Sequence, residues 1–237
     1  MIGRRLLGFA LAAALLFAPA ALEARSLDFD GSTGTVTFPP PQTGSASGIT
    51  IMVWAQMDAV AVRATFAFDN AGNTFAFGID NALSGGLRLD AGGAAGTAAT
   101  LEIGRWQHAA VTYDSTRGAG LRARFYIDGV LQNVATDASA GVLGTPLNVV
   151  LGAAISTTLN GRMFSLKIFK AAMSQEQIEA EMRCARPQDT SSLVFFAPLD
   201  MGDKVVTDIV SGRAGTVNSG VSVSEATPPV ELCGAGG

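Results

Sequence analysis

Hydrophobic and polar residues alternate with a period of two through most of the chain, in short runs interrupted by Gly, Asn, Asp and Pro. Such alternation predicts β-strands with one buried face, and Ile49–Ala55, Trp106–Tyr113 and Leu121–Ile127 are clear examples. Asp128-Gly129 follows the last run and favours a tight hairpin, because type I′ turns require positive φ. Residues 92–99, almost all Ala, Gly and Thr, predict an exposed loop instead. About a dozen short strands separated by turns favour an antiparallel β-sandwich or jelly roll.

Residues 175–183 break this alternation and predict one short α-helix. Ser174 and Gln177 have the spacing of a capping box, in which each side chain accepts a hydrogen bond from the other residue's backbone. Met173 and Ile178 have the spacing of a hydrophobic staple around that box. We therefore expect one face of this helix to pack against a sheet.

The N-terminus has the pattern of a secretory signal peptide over residues 1–24. Two arginines precede the apolar run Leu6–Leu22, and small residues follow it. Cleavage is expected after Ala24, with Ala20 or Ala21 as the alternatives, and a retained membrane anchor is the other interpretation of the segment. The signal peptide predicts a secreted or periplasmic protein that has no membrane span once the leader is removed.

Composition narrows the class of protein further. Glycine makes up 28 of 237 residues and charged residues only 15%, against averages of about 7% and about 25%. That balance would suit a membrane protein, but the leader is the only apolar run that approaches the required length of about 20 residues. Removing the leader moves the net charge from −4 to −5, which gives no support for nucleic-acid binding. Residues 25–237 are long enough for a single β domain, which we also expect to be monomeric.

The two cysteines, Cys184 and Cys233, most simply form a disulfide in an exported protein. A bridge that closes a loop of 49 residues would stabilise the fold by roughly 4 kcal/mol in the chain-entropy model. Two free buried thiols are the alternative. A structural metal site is disfavoured, because two cysteines and one histidine supply too few soft ligands.

Several segments occur in an order that resembles a known family. They are Leu27-Asp28-Phe29-Asp30-Gly31, Trp106–Asp114 (WQHAAVTYD), Phe125–Leu131 (FYIDGVL), Leu159–Phe169 (LNGRMFSLKIF) and Ala172-Met173-Ser174 with Ile178. Together they resemble laminin-G-like, concanavalin A-type jelly rolls, whose relatives include the pentraxins. The resemblance implies an antiparallel β-sandwich with one short helix near residues 175–183. Residues 188–237 then either complete the sandwich or form a C-terminal extension.

The resemblance leaves several functions open, since such folds include sugar-binding modules, adhesion modules, pentraxin-like recognition proteins and glycosidases. A glycosidase needs two carboxyl groups about 5–9.5 Å apart across a cleft, and no Glu-x-Asp-x-Glu strand motif is present. Asp28 and Asp30 do alternate on one strand, but they belong to the opening motif and are interpreted as turn and edge residues. His108, the only histidine, lies in a strand motif of the family and is interpreted as structural. No catalytic residue is predicted.

Calcium is the most plausible bound ion, because hard oxygen ligands on rim loops suit it. Asp69 and Asn70 cluster with Asn73 in one predicted turn and are the candidate ligands, although Asp and Asn also form turns without any metal. Residues 152–158, where the acidic loop of pentraxin-like relatives would fall, contain no carboxylate. No cofactor is required by the sequence, and calcium remains possible.

Sugar binding usually needs an exposed aromatic ring that stacks on the C–H groups of the ligand. Trp54 and Trp106 lie in strongly apolar strands and are expected in the core. Tyr113 and Tyr126 are the candidate exposed rings. The sequence therefore predicts a non-catalytic, extracytoplasmic recognition module that binds a glycan. A structural or adhesion module that binds another surface protein is the alternative, and a glycoside hydrolase is less favoured.

Overall fold

The computed structural model describes residues 25–41, 46–59, 63–68, 76–80, 86–90, 94–118, 120–132, 148–152, 158–200, 205–231 and 233. The predicted signal peptide and the candidate calcium ligands Asp69 and Asn70 lie outside these residues. The elements are β1 (Ser26–Asp30), β2 (Val36–Phe38), β3 (Gly48–Met57), β4 (Arg63–Phe68), β5 (Ala76–Asp80), β6 (Gly86–Asp90), β7 (Ala94–Thr100), β8 (Trp106–Asp114), β9 (Ala123–Ile127), β10 (Val130–Leu131), β11 (Val149–Leu151), β12 (Asn160–Phe169), α1 (Gln175–Met182), β13 (Leu193–Ala197), β14 (Val206–Asp208), β15 (Arg213–Val217) and β16 (Val221–Ser224).

The strands form two antiparallel sheets. The order in the first sheet is β10-β9-β8-β3-β12-β1-β16, and β13 pairs with the second half of β12. The order in the second sheet is β14-β15-β2-β11-β4-β5-β6-β7. The strands that follow residue 188 join both sheets, with β13 and β16 in the first and β14 and β15 in the second. The antiparallel β-sandwich expected from the alternation is therefore confirmed.

Side chains on alternate positions of the strands fill the space between the two sheets. Leu27 and Phe29 of β1 are buried in this core, whereas Asp28 between them lies on the outer face. Phe38 and Phe195 meet there edge to face, with ring centroids 5.0 Å apart. Burial of each large apolar side chain contributes about 1.5–3 kcal/mol, so this layer supplies most of the driving force for folding.

Helix α1 packs on the outer face of the first sheet. The predicted capping box is present: Ser174 Oγ accepts from the Gln177 backbone N–H at 3.3 Å, and Gln177 Oε1 accepts from the Ser174 N–H at 2.8 Å. Met173 and Ile178, the predicted staple pair, are buried together against the sheet. The sheet residues that they cover are Met52, Ala110, Tyr126 and Phe169. Where the helix covers it, the first sheet is therefore buried on its outer face as well as on its inner face.

The prediction of an exposed loop over residues 92–99 is wrong for residues 94–99. These residues belong to β7, which pairs with β6 at the edge of the second sheet. Ala95 and Thr97 are buried, and Ala99 packs against the core. The weak hydrophobicity of Ala and Gly conceals this strand in the sequence.

The predicted hairpin turn and the predicted disulfide are both present. Asp128 and Gly129 adopt positive φ of 50° and 77°, and Ile127 pairs with Val130 across the turn. Cys184 and Cys233 are bonded, with Cα atoms 5.3 Å apart. No helix in the described part of the chain is long and apolar enough to cross a membrane.

Candidate functional site

Four strands of the first sheet place a row of polar and aromatic side chains on its outer face. Asp28 pairs with Arg162, Arg162 with Gln56, and Gln56 with Trp106, across β1, β12, β3 and β8. Asp58, just beyond the end of β3, joins the row through Arg162. We call these five residues the polar strip. They face outward because their neighbours Leu27, Met163, Ala55 and Met57 point into the core.

Arg162 is the centre of the polar strip. Its Nη1 donates to Gln56 Oε1 at 2.8 Å and to Asp58 Oδ1 at 3.1 Å. Its Nε lies 3.9 Å from Asp28 Oδ1, and the Arg162 side chain is 24% exposed. That distance is too long for a hydrogen bond, and within the described structure the buried Nε has no hydrogen-bond partner. The strip therefore contains a fixed, unused donor beside a carboxylate acceptor.

A glycine allows the strands to bring these groups together. Gly161 adopts a φ of 144°, and a Cβ there would collide with the backbone carbonyl of Gln56. The absence of a side chain lets β12 approach β3 closely at the position next to Arg162. Gln56 is held from the other side, because its Nε2 donates to the Gly104 carbonyl at 2.8 Å. The hydrogen-bonding groups of the strip are thus positioned before any ligand arrives.

Trp106 forms the aromatic end of the polar strip. Its side chain is half-buried and packs against a cluster that contains Trp54, Phe164 and Ala185. Trp54 is buried as expected, although in this outer cluster and not between the two sheets. The expected burial of Trp106 in the core is wrong, because this ring lies at the edge of the cluster and remains partly exposed. A half-buried indole beside polar groups can offer an apolar surface to the C–H face of a ligand.

His108 is buried against Trp54, with ring centroids 5.5 Å apart. Its backbone N–H donates to Asp128 Oδ1 at 2.9 Å, which ties β8 to the β9–β10 hairpin. Burial, with a smaller contribution from the Lys167 charge, lowers the pKa of His108 from 6.5 to about 3. Its Nδ1 has no hydrogen-bond partner among the described residues, so no described hydroxyl or thiol is paired with that atom.

An ion pair that the sequence analysis missed holds α1 on the sheet. Lys167 Nζ donates to Glu181 Oε2 at 2.8 Å and to the carbonyls of Glu181 and Cys184 at 2.8 and 2.9 Å. Glu181 Oε1 accepts from the backbone N–H groups of Gln188 and Asp189. Burial lowers the pKa of Lys167, and the Glu181 carboxylate opposes this effect. A lysine in the apolar run of β12 was the only sequence signal for this pair.

The predicted binding tyrosines do not reach the surface. Tyr113 lies in the main core, and Tyr126 lies beneath α1. The expected exposure of these rings is therefore wrong, because the outer face of the first sheet is covered by a helix at Tyr126 and the inner face holds Tyr113. Neither ring can stack on a ligand in this conformation.

The two aspartates of the opening motif have different roles. Asp30 accepts the backbone N–H groups of Ser32, Thr33 and Gly34 at 2.7–2.8 Å. These hydrogen bonds lower the pKa of Asp30 from 3.8 to about 2, so it is a turn residue as predicted. Asp28 instead points outward into the polar strip. That role was missed because its partner is far away in the sequence.

The outer face of the second sheet carries a simpler polar feature. Arg88 Nη2 donates to Asp90 Oδ1 at 2.7 Å, and Arg88 Nε contacts both carboxylate oxygens at 3.0 Å. The strands on either side present Gly78 and Gly96 opposite Arg88. In the described ranges, no cluster of three or more His, Cys, Asp or Glu side chains could hold a metal ion. The polar strip is therefore the better candidate site.

Two eight-stranded antiparallel sheets with a helix on one outer face define a jelly-roll β-sandwich. The chain belongs to the concanavalin A-like lectin/glucanases superfamily, whose laminin G-type family model matches residues 30–179. No curated protein sequence matches the chain.

Three solved structures share this fold at low sequence identity. A protein from Bacteroides ovatus, described provisionally as carbohydrate-binding, is 17% identical with a TM-score of 0.68, and the match covers 89% of this chain and 62% of that one. The heptameric SAP-like pentraxin of Limulus polyphemus is 14% identical with a TM-score of 0.61, covering 89% and 97%. Domain 4 of an extracellular arabinanase from Geobacillus stearothermophilus, solved with arabinotriose, is 16% identical with a TM-score of 0.51, covering 66% and 86%. These similarities establish the fold.

Proposed function

We propose that this chain is a non-catalytic extracytoplasmic recognition module that binds carbohydrate at the polar strip. The observation that carries the proposal is the unpartnered, buried Nε of Arg162, which lies 3.9 Å from the Asp28 carboxylate. A buried N–H group without a hydrogen-bond partner is costly and rare. A small rotation of the Arg162 side chain would uncover Nε, and a ligand oxygen that accepts from Nε and donates to Asp28 would then satisfy both groups. A sugar hydroxyl has this dual capacity, since it is both a donor and an acceptor.

The composition of the polar strip supports a sugar ligand. Trp106 offers an apolar ring at one end, and Gln56, Arg162 and two aspartates offer hydrogen bonds along the row. Carbohydrate sites combine these two kinds of contact, because sugar rings have apolar C–H faces and polar edges. The structural relatives described with carbohydrate ligands or carbohydrate-binding roles support the same class of partner.

The same geometry disfavours hydrolysis. A glycosidase needs one carboxyl group that delivers a proton to the leaving oxygen. Asp28 and Asp58 both lie beside the Arg162 guanidinium, at 3.9 and 3.1 Å, and Asp58 accepts a hydrogen bond from it. Both carboxyl groups are therefore paired with one arginine. Incubation of the purified protein with the glycans that it binds should release no reducing sugar.

A glycan array on the exported mature protein tests the proposal, with and without calcium. Arg162→Lys keeps the positive charge but removes the Nε–H fork, so it should weaken binding of any positive glycan about tenfold or more. Arg213→Ala, at an exposed arginine of β15, is the matched control and should bind normally. Absence of binding to every glycan in both conditions would contradict the proposal, as would equal affinity of Arg162→Lys and the unmodified protein.

The calcium arm of this array also tests the predicted ligands Asp69 and Asn70. We propose that calcium binds at these two residues and not in the polar strip. Isothermal titration with calcium alone should then give a heat that Asp69→Asn abolishes and Arg162→Lys leaves unchanged. Loss of the calcium heat in Arg162→Lys, or its persistence in Asp69→Asn, would contradict this assignment.

One observation favours the alternative of a surface-protein partner. Val130 and Leu131 form β10 at the edge of the first sheet, and they are 58% and 41% exposed. Exposed edge strands can pair with another chain. Beads coated with the protein should stop adhering to target cells after periodate destroys the glycans if carbohydrate is the partner. Adhesion that survives periodate and is lost after protease treatment would support the protein partner, and Val130→Lys should then weaken it.

A further inference from the structure

The segment after β16 crosses the outer face of the first sheet beside the polar strip. This segment, residues 225–231 and Cys233, follows β16, and we call it the C-terminal strap. Its backbone pairs with the segment after α1: the Ala185 N–H donates to the Glu231 carbonyl at 2.9 Å, and the Glu231 N–H donates to the Arg183 carbonyl at 2.9 Å. The Cys184–Cys233 disulfide closes the connection.

The C-terminal strap covers the aromatic cluster that adjoins the polar strip. Val230 packs against the cluster of Trp54, Phe164 and Ala185, beside the half-buried Trp106. Trp54 and Phe164 are almost fully buried. Trp54 and Trp106 lie on the same face of neighbouring strands, one paired with His108 and the other with Gln56. The strap therefore covers the aromatic surface beyond Trp106, and Trp106 is the ring of this cluster that stays partly exposed.

The covering layer has two parts, the segment after α1 and the strap that is bonded to it. The segment after α1 is fixed to the sheet by its own contacts, because Lys167 Nζ donates to the Cys184 carbonyl and Ser165 Oγ donates to the Ala185 carbonyl. The end of α1 is fixed in the same way, since Trp54 Nε1 donates to the Met182 carbonyl.

The strap is held at its start by the Arg25–Glu225 ion pair and by the Ser26 Oγ contact to the Ala226 carbonyl. Further along it has a buried Pro228, the half-buried Val230, two backbone hydrogen bonds to the segment after α1 and the disulfide. The disulfide is the only covalent tie among these contacts. Without the disulfide, only non-covalent contacts would hold the strap, whereas the contacts that fix the helix would stay.

We propose that the C-terminal strap is a redox-released cover over an aromatic extension of the carbohydrate site, an inference that rests on the proposed function for its ligand. The reductant is a dithiol. One of its thiolates attacks Cys233 Sγ, which belongs to the more exposed of the two cysteines. Cys184 leaves as a thiolate, and the second thiol of the reductant resolves the mixed disulfide. Two electrons pass from the dithiol to the disulfide, and each cysteine gains one proton.

Release of the strap removes Val230 from the aromatic cluster. Trp106 and Phe164 then gain exposed surface that is continuous with Gln56 and Arg162. The ligands that should bind more tightly after release are oligosaccharides. They must be long enough for one sugar ring to stack on Trp106 while a hydroxyl of another sugar binds between Arg162 and Asp28. A monosaccharide bound at Arg162 alone gains nothing from the release.

Tryptophan fluorescence tests the release without any ligand, because the chain has two tryptophans and both adjoin the strap. After reduction, confirmed by mass as two free thiols, emission should shift to the red and acrylamide quenching should increase. Far-UV circular dichroism should stay unchanged. The double variant Cys184→Ser, Cys233→Ser should resemble the reduced protein and ignore the reductant. Unchanged emission and quenching after verified reduction would overturn the proposal.

Affinity measurements on a glycan found by the array test the consequence for binding. A long oligosaccharide should bind the reduced protein roughly two- to tenfold tighter, which is the effect of one additional aromatic contact. Equal or weaker affinity after reduction would overturn the proposed extension. If no glycan binds either form while quenching still increases, the proposed function fails and the released cover stands. If a glycan binds both forms equally and quenching is unchanged, the cover fails and the proposed function stands.

Discussion

Mild acid should destabilise this protein through a single residue, His108. It is the only histidine in the chain, and its ring is buried against Trp54. Burial lowers its pKa from 6.5 to about 3 in the folded state. The unfolded chain therefore binds more protons than the folded chain between these two values, and stability must fall as pH decreases through this window.

The size of this effect follows from the two pKa values. Near neutral pH both states carry a neutral ring, so His108 contributes almost no pH dependence. At about pH 5 the unfolded state is almost fully protonated at His108, whereas the folded state is not. Linkage then gives a loss of about 2 kcal/mol relative to pH 7. A loss of that size is a large fraction of the total stability of a typical domain.

Urea unfolding at about pH 7 and about pH 5 measures this loss. His108→Leu has no group that titrates in this range and also removes the unpartnered Nδ1. The unmodified protein should lose about 2 kcal/mol between the two pH values, and the variant should lose much less. The comparison stays above pH 5 so that carboxylates contribute little. An equal loss in both proteins would refute the assignment of the acid sensitivity to buried His108.

Three further stability predictions follow from other charges and from the disulfide. Lys167→Met leaves the Glu181 carboxylate buried without its cation and should lower the free energy of urea unfolding by about 3–5 kcal/mol; a loss below about 1 kcal/mol would mean that the pair is dispensable. The pKa of Asp30 is about 2 in the folded state and 3.8 in the unfolded state. Its contribution to stability is therefore present above pH 3.8 and is lost as the pH falls toward 2. The free energy of unfolding of Asp30→Asn should therefore depend less on pH in that range. Replacing Cys184 and Cys233 by serine should lower the unfolding free energy by roughly 4 kcal/mol, and an unchanged denaturation midpoint would contradict that estimate.

The fold was predictable because its signals are local. The capping box at Ser174, the positive-φ turn at Asp128-Gly129 and the alternation of β3 each depend on residues that are close in sequence. Local patterns of this kind survive in any context where the segment forms the same element. The Cys184–Cys233 bridge was predictable for a different reason, since the chain has no other cysteine to pair.

The candidate site was not predictable because it depends on strand register. Asp28 and Arg162 are paired across β1 and β12, and Gln56 reaches Arg162 from β3. No sequence spacing indicates that these three residues are neighbours. Tyr126 was misassigned for a related physical reason. Alternation gives the two faces of a strand but does not tell which outer face a helix will cover.

The unpartnered Nε–H of Arg162 is the atom on which the proposed function depends, and its NMR resonance can be observed directly. The measurement is the arginine Nε–H spectrum of the protein during titration with a glycan found by the array, assigned with Arg162→Lys. The proposal predicts that the Arg162 Nε–H signal shifts in proportion to bound glycan while the Arg213 signal stays in place. Saturating glycan that leaves the Arg162 signal unmoved would contradict it.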